Sequence, residues 1–178
     1  MFKKTLAMLL ALAMILSLAA CGAKTPAEDK PQGADLSGET VEALIEKIYE
    51  TKMPEFALMT MPVDLADAEM VAWQTGINDP ALLKEAVISE SMMGSQAYSM
   101  VMVRVNDAAK AEEVAQMMLD NIDPRKWICV AADDIDAAIY GDLVLFVMID
   151  SSFGIPAADF IGAFKTIAGG ALDKELSK

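Results

Sequence analysis

Four methionines have the most ligand-like spacing in this sequence. Met59-Thr60-Met61 and Met100-Val101-Met102 each place two thioethers one residue apart. On an extended strand such residues share a face, and soft thioethers select Cu(I). Met59, Met61, Met100 and Met102 are therefore the candidate metal ligands. Against them stands methionine's ordinary role as a flexible core filler, which also accounts for Met92, Met93, Met117 and Met118. That account covers more of the sequence, so no metal site is assigned and no cofactor is expected.

Carboxylates come next, because acid/base hydrolysis needs two of them converging in one cleft. The clusters are Asp64/Asp67/Glu69, Glu112/Glu113 and Asp133/Asp134/Asp136. The first sits where a helix start favours negative charge, and the second falls on a solvated helix face. The third lacks the glycine and glutamate spacing of a calcium loop. No Gly-x-Ser-x-Gly elbow occurs, and the chain contains no histidine. Ser-His-Asp and Cys-His catalysis and His-ligated zinc are thereby excluded. No catalytic residue is assigned. A carboxylate-dependent cell-wall hydrolase and a Met-rich Cu(I) carrier remain the alternatives to a binding protein.

The elements that position these residues follow from periodicity. Thr40 caps a helix whose apolar stripe is Val41, Leu44, Ile45, Ile48 and Tyr49. Residues 53–63 read as irregular or briefly extended. Leu65 to Gln74 is a short helix stopped by Gly76, and Asp79-Pro80 starts another to about Ala86. Val87–Met93 and Ala97–Val105 form a hairpin around Gly94-Ser95-Gln96. Asp107 caps a helix through Ile122. Ile135–Tyr140 and Leu143–Ile149 form a second hairpin, with Gly141 at the positive-φ first position of a two-residue loop. Leu143–Ile149 is apolar on both faces and should be a covered central strand. Pro156 opens a last helix, with Phe160, Ile161, Phe164 and Ile167 inside and Gly169-Gly170 at its end. The expected fold is α+β: a mostly antiparallel sheet of two hairpins, about four strands, packed with helices.

The N-terminus carries a different signal. Lys3 and Lys4 precede the apolar stretch Thr5–Leu18, which closes on Leu18-Ala19-Ala20-Cys21. This is the pattern of a secretory signal peptide, and Leu-Ala-Ala-Cys resembles the lipobox of bacterial lipoproteins. That resemblance implies cleavage before Cys21 and diacylglyceryl on its thiol. Stable membrane attachment then follows from two acyl chains. The expected organisation is a signal peptide over 1–20 and a lipidated cysteine with flexible tether over 21–38. A single domain over 39–170 and a C-terminal tail over 171–178 complete it. Cleavage takes the net charge from −13 to −15 with the loss of Lys3 and Lys4. Such a chain is repelled by phosphate backbones, so nucleic acid is not an expected partner. With Cys21 lipidated, Cys129 has no disulfide partner. Its setting, Trp127-Ile128-Cys129-Val130, reads as core.

Several segments over residues 41–168 together resemble a family of small lipoproteins from low-GC Gram-positive bacteria that is defined only by a domain of unknown function. They are Trp73-Gln74-Thr75-Gly76-Ile77, the strand-to-helix run Met100–Asp107 with Lys110–Val114, and the hairpin Tyr140–Met148. At Lys126-Trp127-Ile128 this chain departs from the tyrosine-proline step of the pattern. The resemblance implies a location and a fold and no activity. The resulting expectation is a non-catalytic module, held by lipid on Cys21 at the extracytoplasmic face of the cell membrane. It would bind an envelope ligand or protein. Trp73 and Trp127 are the candidate contact residues, because large amphipathic aromatics near loops mark contact surfaces.

Overall fold

A computed structural model describes residues 33–178. The signal segment, Cys21 and the tether up to Gln32 lie outside the described residues. Helix α1 (Val41–Thr51) begins where Thr40 Oγ1 accepts the Ala43 N–H at 3.2 Å, and its buried stripe is Val41, Leu44, Ile45 and Ile48. Strand β1 (Leu58–Pro62) follows, then helix α2 (Ala68–Thr75), capped by Asp67 and ended by Gly76 at φ 73°. A Cβ on Gly76 would also lie 2.9 Å from Ile122 Cγ1, so both conformation and space demand glycine there. Strands β2 (Leu83–Ser91) and β3 (Tyr98–Val105) form the first hairpin. Helix α3 (Ala111–Asn121) leads to the second hairpin, β4 (Asp134–Tyr140) and β5 (Leu143–Ile149). Gly141 turns that hairpin at φ 59°, as its sequence requires. Helix α4 (Ala157–Ile167) and strand β6 (Lys174–Ser177) complete the described chain.

The six strands form one sheet in the order β1-β2-β3-β5-β4-β6, antiparallel throughout. The two hairpins meet through their second strands, from Tyr98 opposite Ile149 to Arg104 opposite Leu143. Every residue of β3 and of β5 is buried, which explains why β5 lacks alternation. On one face, α2 and α3 cover Val101, Val103, Val144, Phe146 and Met148. On the other, α1 and α4 cover Met100, Met102, Leu145 and Val147. Residues 33–178 are thus a compact unit whose two cores are closed by its own elements. Among the described residues no helix is long and apolar enough to cross a membrane.

The α+β class and both hairpins agree with the sequence reading, and the strand number does not. The briefly extended reading of residues 53–63 resolves into a strand, and two other expectations are corrected. Residues 58–62 form an edge strand, and its Pro62 sits at the strand end, where a missing N–H is tolerated. Leu83 to Ala86 belongs to β2, because pairing with Val105 and Val103 takes over after a single 3-10 turn at Pro80–Leu82. The expected C-terminal tail contains β6, which pairs with β4 from Asp136–Ser177 to Ile139–Lys174 and lays Leu176 on the core.

The end of the expected tether is folded as well. Leu36 is buried, Ala34 N–H donates to Ala168 O at 3.0 Å, and Tyr140 Oη donates to Ala34 O at 2.7 Å. Arg104, 2 % exposed, pairs with Asp142 Oδ1 at 2.7 Å. Its second nitrogen donates to Leu36 O at 3.1 Å and to Glu39 O at 2.8 Å. Residues 33–38, expected in the tether, are thus packed against the domain.

Candidate functional site

The end of the first hairpin holds an unusual group of side chains. Glu90 near the end of β2 pairs in register with Ser99 near the start of β3. Both lie on the face covered by α2 and α3. The loop after α3 turns at Pro124, with Lys126 N–H on Asp123 O at 3.3 Å and Ile128 N–H on Gly94 O at 3.2 Å. This loop drives Lys126 inward until its side chain is 4 % exposed. The ammonium forms an ion pair with Glu90 Oε1 and donates to Ser99 Oγ at 3.2 Å.

Two aromatic rings complete its surroundings. Lys126 Nζ lies 5.7 Å from the Trp73 centroid and 5.5 Å from that of Trp127. Both are within range of cation–π attraction. Burial lowers the Lys126 pKa from its ordinary 10.5, and the nearby carboxylates of Glu90 and Asp123 pull it back up. The structure therefore brings together the two tryptophans singled out in the sequence, one from α2 and one from a loop. Lys126 and Glu90 carried no sequence signal. They lie 36 positions apart in an acidic chain, and only the hairpin register makes them neighbours.

Around this polar centre the surface is apolar. Seven large hydrophobic side chains are exposed among the described residues: Met53, Met59, Met70, Trp73, Met92, Met93 and Ile128. All but Met53 lie on elements that hold or adjoin the Lys126 centre. Met59 is the cross-strand partner of Glu90. Met70 lies one turn before Trp73 on α2. Met92 N–H bonds Ala57 O at the entry to β1, and the Met93–Gly94 turn holds Ile128. Trp73 is 56 % exposed and Ile128 77 %. Cys129, expected in the core, is exposed here and adopts φ 65°. The loop that buries Lys126 turns Ile128 and Cys129 outward, while Trp127 and Val130 pack against the core.

The other sequence candidates do not converge. Met59 and Met61 lie on the α2/α3 face of β1, whereas Met100 and Met102 are fully buried on the opposite face of β3. The four thioethers therefore do not converge on one site. Asp64 and Asp67 accept the Ala66 and Met70 N–H groups at 3.0 Å each. Glu112 and Glu113 pair with Lys174 and Lys110. Asp133 accepts Ser151 N–H at 2.7 Å and Oγ at 2.8 Å, bonds that hold its carboxyl below 3.8. Asp134 accepts Ala157 N–H at 2.9 Å. Asp136 does face a cleft, of about 340 Å³ between α4 and β6, together with Glu175. Glu175, however, is held by Lys165 at 2.8 Å in exposed surroundings, unlike the desolvated carboxyl of a general acid.

No protein-family model, curated protein or solved structure matches the chain. The resemblance to small lipoproteins rests on the segments quoted for it.

Proposed function

We propose that this chain is a non-catalytic, lipid-anchored module of the extracytoplasmic membrane face, and that it docks an envelope protein through the surface around Trp73, Lys126 and Trp127. One observation carries the docking reading: the exposed Trp73 flanks the Lys126–Glu90 ion pair, with Ile128 exposed on the same loop as Lys126, and Met59, Met70, Met92 and Met93 are exposed on the elements that adjoin them. Exposed large apolar side chains grouped on neighbouring elements mark interaction sites. Methionine adapts such a surface to its partner, while a tryptophan fixed on a cation supplies a rigid anchor. The anchor rests on Leu18-Ala19-Ala20-Cys21.

Site-specific photo-cross-linking in intact envelopes tests the docking reading. A photoreactive residue at Met70 or Ile128 should give one discrete adduct. The same residue at Lys47, on the α1 side of the sheet, should give none. Equal labelling from both sides would end the docking reading. Labelling with radioactive palmitate, lost in Cys21→Ser, tests the anchor separately.

A further inference from the structure

We infer that the segment docking on this face is an amphipathic α-helix with lysine or arginine along its polar side. The inference rests on the docking reading above and adds the chemistry of the partner, which the charges around the face specify. Asp64, Asp67 and Glu69 stand exposed at the start of α2, beside Met70. Asp120 and Asp123 stand exposed at the end of α3, and Lys126 N–H is bonded to Asp123 O. Asn121 Nδ2 donates to Gly76 O at 2.8 Å, which ties the C-terminal ends of α2 and α3 together, so the two helices that carry these acidic groups are neighbours.

None of these five carboxylates takes part in a salt bridge among the described residues. On the loop between them, Arg125 is exposed, and Lys126 is already neutralised by Glu90. The rim therefore has an uncompensated negative charge around an apolar centre. The complement is an apolar stripe flanked by cations, which a helix presents through positions i, i+3, i+4 and i+7. An added β-strand would need free backbone groups. The exposed groups here are side chains, and the adjoining edge strand β1 has five residues and ends in proline. An anionic lipid surface is disfavoured by the same rim.

The probe is a fluorescein-labelled leucine/lysine helical peptide about five turns long, titrated into residues 33–178 and read by anisotropy and tryptophan emission. A second peptide replaces every lysine with glutamate, and phosphatidylglycerol vesicles form a third arm. The expected result is saturable binding of the lysine peptide with a blue shift of Trp73 emission. Binding should weaken with salt and by at least ~10-fold in I128D and M93D. Both positions are exposed, and unchanged circular dichroism would verify their folding. Equal binding of the two peptides would overturn the cationic assignment and leave the docking reading intact. Binding of neither peptide would also overturn the inference, with the envelope cross-link deciding the docking reading independently. Vesicle binding that moves Trp73 emission, with no response to the lysine peptide, would assign the face to lipid instead.

Discussion

The ammonium of Lys126 lies 5.7 Å from the Trp73 ring centroid, and this contact joins the loop after α3 to helix α2 above the end of the first hairpin. The same ammonium meets Glu90, so one buried charge links α2, β2 and the 122–133 loop. Removing one member of such a pair strands the other. Lys126→Ala should cost ~3 kcal/mol or more by urea denaturation, the range for breaking a buried pair from one side. The double variant Lys126→Met, Glu90→Gln replaces both charges at similar volume and should recover most of that loss. A double variant as unstable as Lys126→Ala would show that the pair is not what holds the loop.

The burial of Lys126 also fixes a pH dependence. Its folded-state pKa is lowered from the ordinary 10.5, chiefly by desolvation. Below that lowered value both folded and unfolded chains hold the proton, and the burial penalty is complete. Between it and 10.5 the unfolded chain binds more protons, so stability rises with pH. The stability difference between the wild type and Lys126→Met should therefore shift in favour of the wild type from pH 7 to pH 10. Burial raises Tyr49 and Tyr98 above 10.0, which acts in the opposite direction at high pH, but equally in both proteins. A pH-independent difference in urea midpoint would sink the assignment.

Arg104 makes the corresponding link on the other face. Its guanidinium satisfies Asp142 Oδ1, Leu36 O and Glu39 O from one buried position. Arg104→Met should destabilise the domain by ~3 kcal/mol and speed amide hydrogen exchange over residues 34–40. Arg104→Lys should behave like Arg104→Met, since an ammonium cannot reproduce the planar fork that bridges both segments. Slow exchange at 34–40 in both variants would mean that Leu36 packing alone holds the start of the domain.

Local chemistry made much of this fold readable. Thr40, Asp67, Gly76 and Gly141 each carry a conformational requirement within a few residues, and the elements they bound are close to those expected. The unbroken apolar run of β5 announced a strand covered on both sides. Long-range pairing was not readable. β1 is short and proline-ended, and β6 is Lys-Glu-Leu-Ser, with no periodicity to distinguish a strand from a tail. Only β4, offering a free edge, makes it one. At the candidate site the tryptophans were visible by type. Lys126 and Glu90 were not, because a lysine in a loop reads as solvated until the fold encloses it. Cys129 failed in the reverse sense: an apolar local run suggested burial, but the residue stands at positive φ in the loop and its thiol is exposed.

The short strand β6 yields the last prediction. It covers the edge of β4 from Asp136 to Ile139, and Lys178 Nζ reaches Leu119 O at 2.6 Å on α3. Truncation after Asp173 would keep the Asp173 Oδ2 bond to Gly141 N–H while exposing that edge and removing Leu176 from the core. A bared edge strand templates pairing with another chain. The truncated protein should lose ~2 kcal/mol, within the common range for lost packing, and should show concentration-dependent dimers by light scattering. Leu176→Ala separates the two effects: it removes core packing and keeps the edge paired, so it should be destabilised yet monomeric. A truncated chain that stays monomeric with an unchanged melting temperature would mean that β6 contributes neither cover nor core.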